Sequence, residues 1–203
     1  KNCISRNNVS KKLGGGLYNE CLRLEVTNCT ISVNTAFDTG GVYNGFGAVS
    51  LSGCTVTDNK GTDGAGGIAN ETNNANTIVT NCTVTNNFAG TRGGGIWNGR
   101  DAELNVVGSR ITGNTAASTG GGIYNNATLK IEGNTVVSGN SGETSASNLY
   151  LDADSKINVT GAFTDGAHIG VNPAYKTAII TSGYGTHNGT TDPNTIFFSD
   201  IIN

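Results

Sequence analysis

Apolar and polar positions in this chain come in short bursts of alternation, spaced by glycine and asparagine. One burst recurs as Leu24-x-Val26, Val49-x-Leu51, Thr77-x-Val79, Leu104-x-Val106, Leu129-x-Ile131 and Ile157-x-Val159. A period of two places one face of a strand against a core. A second burst reads Cys-Thr-aliphatic-Thr/Ser and runs on to an asparagine, at 29–34, 54–59, 82–87, 109–114 and a lengthened 134–140. The third is Gly-Gly-Gly-aliphatic-aromatic-Asn, at 14–19, 39–44, 65–70, 93–98 and 120–125, with a worn copy at 147–151. Its aliphatic positions, Leu17, Val42, Ile68, Ile96, Ile123 and Leu149, are separated by 25, 26, 28, 27 and 26 residues. A near-constant step of this size marks a repeat architecture.

Each segment is too short for a helix, and none can bury its face alone, so the coils must stack. Three short strands per coil with Gly and Asn turns predict an all-β parallel β-helix. It should have six to seven coils of 25–28 residues. At about 4.8 Å per coil the rod would be roughly 30 Å long. Its interior should hold ladders of like residues. One is Leu17, Val42, Ile68, Ile96, Ile123 and Leu149; another is Val26, Leu51, Val79, Val106, Ile131 and Val159; a third is Ile31, Val56, Val84, Ile111 and Val136. Each buried aliphatic contributes about 1.5–3 kcal/mol. Asparagines should stack too, as Asn34, Asn59, Asn87, Asn114 and Asn140 at one bend and Asn19, Asn44, Asn70, Asn98 and Asn125 at another. Asparagine tolerates left-handed backbone, and its amide can pair with the coils above and below. The register fades near Ala162, where Phe163, Pro173, Tyr175, Tyr184, Phe197 and Phe198 concentrate aromatic bulk. A solenoid end exposes unpaired strand edge. The expected division is therefore coils over 1–161 and a C-terminal cap over 162–203. The other end opens inside a repeat, as expected of a fragment cut from a longer protein.

Composition narrows the function classes. Only 13% of the 203 residues are charged, with 31 Gly, 2 Pro and no Met, which disfavours a helical globule and charge-driven disorder. The net charge of -3 and the lack of a basic patch argue against nucleic acid as a partner. No apolar run approaches the roughly 18 residues of a membrane span. Of the five cysteines, Cys3, Cys29, Cys54 and Cys82 keep the repeat register, and Ser109 and Asn134 take that place in later coils. Replacement by Ser and Asn points to a small inward filler and away from a required disulfide. Cys21 stands outside the register. No CxxC or histidine pair suggests a metal site, and no cofactor motif is present.

The Gly-Gly-x-Ile/Val-Tyr motif, together with Ile111-Thr112-Gly113-Asn114-Thr115-Ala116, resembles the repeats of polymorphic-outer-membrane-type proteins and related right-handed parallel β-helices on bacterial surface proteins. The tail, from Ile179-Ile180-Thr181-Ser182-Gly183-Tyr184-Gly185 through Asp192-Pro193 to Phe197-Phe198-Ser199-Asp200, resembles the segment closing such arrays in large surface proteins of gut-type Gram-positive bacteria. The resemblance implies right-handed coiling and an extracellular, cell-surface setting. This chain lacks the Phe of the chlamydial second motif, so host-cell adhesion is not carried over.

Candidate chemistry lies on the outward positions. The residue after each inward aliphatic forms a column: Tyr18, Tyr43, Ala69, Trp97, Tyr124 and Tyr150. Exposed rings in a row suit a glycan-binding strip, because sugar rings present apolar faces. Alternatively, the rings stack on each other and cover the glycine corner. Arg100, Asp101 and Glu103 supply polar groups in the turn after Trp97. A Thr-rich column (Thr30/Ser32, Thr55/Thr57, Thr83/Thr85, Arg110/Thr112) resembles ice-binding rows but is short and broken by Arg110. Right-handed β-helices include polysaccharide lyases and glycosidases, so an enzyme is the rival class. A glycosidase needs two carboxylates roughly 5–9.5 Å apart. Asp38 with Asp63, in equivalent turns, or Asp101 with Glu103 are the candidates, and the later coils carry Arg92 and Ser118 at the Asp38/Asp63 turn. Loops are short, whereas catalytic clefts on such rods need long walls. His168 and His187 both lie in the cap. Asn-x-Thr sequons such as Asn81-Cys82-Thr83 and Asn126-Ala127-Thr128 come from the repeat itself. The sequence thus leads to a non-enzymatic extracellular module, an adhesin or stalk binding glycan or a cell-surface protein along one face. A polysaccharide-active enzyme and a purely structural spacer are the alternatives.

Overall fold

The computed structural model describes residues 1–71, 74–143, 147–152, 155–175 and 179–200. They form an all-β parallel β-solenoid of about 7 turns. Each strand pairs in parallel with its counterpart one coil along, so like residues stack. Ile96 lies between Ile68 and Ile123. Leu51 lies between Val26 and Val79. All the side chains of the first ladder from Val42 onward are fully buried. Polar Thr77 takes an aliphatic place yet is equally buried. Its hydroxyl donates to Asn70 Oδ1 at 2.7 Å and accepts from Asn44 Nδ2 at 3.1 Å, which satisfies it.

Several expectations are corrected. The coil has a fourth strand of two residues: Val9–Ser10, Thr35–Ala36, Lys60–Gly61, Phe88–Ala89 and Thr115–Ala116 stack as a sheet of their own. Two residues are too few to display an alternation. Ala36, Ala89 and Ala116 nevertheless point inward and are buried. The third ladder continues through Val137, which pairs with Ile111, while Val136 pairs with Arg110. That one-residue shift also moves the cysteine column from Asn134 to Thr135. Asn134 is exposed, whereas Thr135 is buried and its hydroxyl donates to the Glu132 carbonyl at 2.8 Å.

The left-handed residues differ as well. The laddered asparagines are not among them; neighbours adopt that conformation, in the columns Asn28, Gly53, Asn81, Gly108, Gly133 and Asn7, Val33, Asp58, Asn86, Gly113, Gly139. The amides of the laddered asparagines instead hold the coils together. Asn59 Nδ2 donates to Asn87 Oδ1 on the next coil at 2.9 Å and to the Ile31 carbonyl on the previous one at 2.9 Å. Its Oδ1 accepts both the backbone N–H and Nδ2 of Asn34. The second ladder, Asn19 to Asn125, is linked by Nδ2 to Oδ1 bonds of 2.7–3.2 Å.

The glycine triplets let backbone stack on backbone. A Cβ at Gly94 would run into the Gly121 carbonyl oxygen, and Gly93 sits at φ 69°. Cysteines are all free, with Cys29, Cys54 and Cys82 buried and Cys3 and Cys21 exposed. Their sulfurs form a further ladder: the Cys54 N–H donates to Cys82 Sγ at 3.2 Å, and the Cys82 N–H to Ser109 Oγ at 3.0 Å.

Of the expected cap, 176–178 and 201–203 lie outside the described residues. Strand pairing continues into the remainder. His168–Pro173 pairs with both Val136–Ser138 and Leu149–Leu151, joining two otherwise separate ribbons, and Phe197–Ser199 adds to its edge. The rings of Phe163, Tyr184 and Phe197 meet at this end, with Phe163 edge-on to Phe197 at 5.5 Å.

Candidate functional site

The aromatic column follows from the strand register, since Tyr18, Tyr43, Ala69, Trp97, Tyr124 and Tyr150 are direct neighbours in turn. The rings split into two groups. Tyr18 stacks on Tyr43 at 5.4 Å and 9°. Tyr124 stacks on Tyr150 at 5.5 Å and meets Trp97 edge-on at 6.3 Å. Ala69, fully buried, separates the groups. Stacking has its own cost in exposure: Tyr124 is buried at 3%, while Tyr18 remains 49% exposed. Tyr43, Trp97 and Tyr150 are half-buried.

Beside Trp97 a cavity of about 490 Å³ opens at the corner of the coils, lined among others by Asp38, Asp63, Gly64, Arg92, Trp97 and Ser118. Both carboxylates of one candidate pair therefore share a groove with the candidate ring. Their adjacency comes from the backbone, because the Asp63 N–H donates to the Phe37 carbonyl at 2.8 Å, which sets Asp63 beside Asp38 on successive coils. The same bonding pattern, Gly90 N–H to the Gly61 carbonyl, places Thr91 beside Asp63, whereas Ser118 N–H to the Thr91 carbonyl places Ser118 beside Arg92 on the following coil. Arg92, expected beside Asp63, stands one residue further along. Gly64 is required for the groove wall, since a Cβ on it would collide with the Asp38 carboxylate.

The groove's charges are unevenly partnered. Arg92 lies over the Tyr124 ring at 5.1 Å and donates to the Tyr124 hydroxyl at 3.2 Å. That hydroxyl donates in turn to Asp152 Oδ2 at 2.6 Å. Burial, the bond to Asp152 and its charge push the Tyr124 phenol up to about 12, against the pull of Arg92. Burial raises the Asp38 carboxyl above the usual range; the Thr39 hydroxyl, donating at 3.1 Å, opposes this, and the Asp63 charge adds to it. Burial and then the Asp38 charge push Glu71 up to about 7. Tyr43 rises to about 12 through burial and the charges of Glu71 and Asp38. A half-exposed indole, two acidic acceptors and an anchored guanidinium can hold a polar ligand with one apolar face.

The other expected site residues lie elsewhere. Arg100 and Asp101 occupy the exposed turn after Trp97, with Asp101 at φ 63°, and neither lines the cavity. Glu103 accepts from Lys130 Nζ at 2.8 Å, so Asp101 and Glu103 do not form a free pair. The Thr rows align as expected, Thr30, Thr55 and Thr83 beside Ser32, Thr57 and Thr85, until Arg110. His168 stacks on Phe198 at 4.2 Å. Among the described residues no group of three His, Cys, Asp or Glu is placed to hold a metal ion, and no helix is long and apolar enough to cross a membrane.

Sequence reasoning missed Glu71 and Asp152. Each follows a motif asparagine or its replacement, Asn70 and Leu151, and so faces the aromatic column's corner; that shared offset was the available signal. It also missed that Arg92 and Trp97 line one cavity, because a glycine turn separates them along the chain.

No protein-family model, no curated protein and no solved structure matches this chain.

Proposed function

We propose that this chain is a non-enzymatic extracellular module of a large bacterial surface protein, an adhesin or stalk segment that binds saccharide in the groove beside Trp97. Membership of the polymorphic-outer-membrane-type repeat family is part of the same reading, supported by the Gly-Gly-x-Ile/Val-Tyr and Ile/Val-Thr-x-Asn motifs. The observation that carries the binding site is the cavity of about 490 Å³ in which a half-buried Trp97 meets Asp38, Asp63 and Arg92. An indole covers the apolar face of a pyranose, and the carboxylates accept its hydroxyls. Binding of an oligosaccharide in a glycan-array screen, lost in Trp97→Ala, is the expected result. No binding, or binding indifferent to that substitution, rejects it.

The second reading is a polysaccharide-active enzyme of the β-helix superfold. One observation favours it: Glu71, pushed up to about 7, could stay protonated near Asp38, as an acid catalyst must. Against it, Glu71 does not line the cavity that holds Asp38 and Asp63. Release of reducing ends from pectins, alginates or mucin glycans, abolished in Glu71→Gln, would establish the enzyme. A spacer is left if neither assay responds.

A further inference from the structure

Resting on the saccharide reading, we infer that the groove selects sugars bearing a free amino group, with the ammonium between Asp38 and Asp63 and the pyranose ring against Trp97. The two carboxylates are neighbours on successive coils, fixed by the Asp63 N–H to Phe37 carbonyl bond of 2.8 Å, and coils repeat at about 4.8 Å. An ammonium has three donors and so can serve two carboxylates that line one groove from successive coils.

Nothing among the described residues already fills this role. The described ion pairs are Arg23 with Glu25 and Lys130 with Glu103, both away from the groove. Asp38 accepts from the Thr39 hydroxyl at 3.1 Å, and the described hydrogen bonds of Asp63 are made by its backbone, which donates to the Phe37 carbonyl and accepts from the Thr91 hydroxyl. Arg92 is the cation in the wall; its guanidinium lies over the Tyr124 ring and donates to the Tyr124 hydroxyl, and it forms none of the described ion pairs with Asp38 or Asp63. Two adjacent, uncompensated carboxylates repel one another, and burial raises Asp38 in the same direction as the Asp63 charge does. A cation entering between them relieves both effects, and the Trp97 face adds attraction for that cation and for the ring that carries it. A neutral or N-acetylated sugar gains the stacking and its hydroxyl hydrogen bonds, without the charge pairing.

The test is calorimetric titration at pH 6 with three oligosaccharides of equal length: glucosamine, N-acetylglucosamine and cellobiose-type glucose oligomers. The expected order is glucosamine tightest by at least tenfold, with the preference erased in Asp38→Asn and Asp63→Asn and all sugar binding lost in Trp97→Ala. Asp63 is exposed and Asp63→Asn keeps its backbone bonds, so that variant decides the matter if Asp38→Asn does not fold. Equal binding of the three sugars, or a preference that survives both carboxylate changes, overturns the amino-sugar inference and leaves the saccharide reading standing. Failure of all three to bind overturns the amino-sugar inference, and the saccharide reading then stands or falls with the glycan-array screen. A lysine tetrapeptide offers the ammonium without a pyranose, and binding as tight as the glucosamine oligomer overturns the assignment to a sugar.

Discussion

Asn148 donates its backbone N–H to Asp200 Oδ2 and its side-chain Nδ2 to Asp200 Oδ1, each at 2.6 Å. This pair ends the asparagine ladder that begins at Asn8 and passes through Asn34, Asn59, Asn87, Asn114 and Asn140. Every rung accepts from the coil before and donates to the coil after, so the last rung is left with two donors and no acceptor. An ionised carboxylate is the natural terminator, since it accepts twice and donates nothing. Asp200 is 5% exposed, and the strand Phe197–Ser199 delivers it there.

Removing that acceptor should therefore be costly. Asp200→Ala leaves both Asn148 donors buried and unpaired, at about 1–3 kcal/mol for each. Asp200→Asn should cost much less, because one Oδ1 serves both donors of the previous rung elsewhere in the ladder. The expected order of melting temperature is wild type, then Asp200→Asn, then Asp200→Ala, read by thermal denaturation. Equal melting of the two variants would show that the ladder does not need terminating.

The coil period, the first two aliphatic ladders and both asparagine columns were legible in the sequence because they repeat in register. Where the register slips, the reading slipped with it. One extra residue before Thr135 moved Val136 out of the third ladder and Asn134 out of the cysteine column. Asn148 looked like a degenerate third glycine, yet its amide is the ladder's next rung, accepting from Asn140 at 3.0 Å. Asp200 lies 52 residues further on, and no periodicity connects the two. The groove was half legible. Trp97, Asp38 and Asp63 stood out by residue type, but their shared cavity depends on a corner whose depth is set by Gly64 and Gly90.

The sulfur ladder makes a separate prediction. Cys82 Sγ accepts the Cys54 N–H at 3.2 Å and donates to the Thr80 carbonyl at 3.2 Å. Ser109 does the same one coil later, with its hydroxyl bonding the Cys82 N–H and the Val107 carbonyl at 3.0 Å each. Cys82→Ser should therefore fold with stability within about 1 kcal/mol of wild type, whereas Cys82→Ala should lose about 1–3 kcal/mol by orphaning the Cys54 N–H. Urea denaturation with an unchanged m value distinguishes the two. A Ser variant as damaging as Ala would mean that the thiol acts through its bulk alone.

Val33 is a β-branched residue held at φ 56°, in a column otherwise made of Asn7, Asp58, Asn86, Gly113 and Gly139. Left-handed backbone costs a residue of this type about 1–2 kcal/mol. Its side chain is 52% exposed, so little packing is lost on replacing it. Val33→Asn and Val33→Gly should each stabilise the rod by about 1 kcal/mol, a rise of about 2–4 °C in Tm for a chain of this size. An unchanged or lower Tm in both would mean that Val33 makes a compensating contact.

Glu71 sets the expected pH dependence at the aromatic corner. Burial and the Asp38 charge raise its carboxyl from 4.5 to about 7 in the folded chain. Between those values the folded state binds the proton that the unfolded chain has released. Linkage then requires this group's contribution to fall as pH rises through the window from about 4.5 to about 7. Acidification through the same window recovers it, opposite to the behaviour of a salt-bridged carboxylate. Glu71→Gln, neutral at every pH, should flatten the dependence and raise stability at pH 8 relative to wild type. Thermal melts of both proteins at pH 5 and pH 8 measure this. A variant whose pH profile runs parallel to wild type would place the titrating group elsewhere.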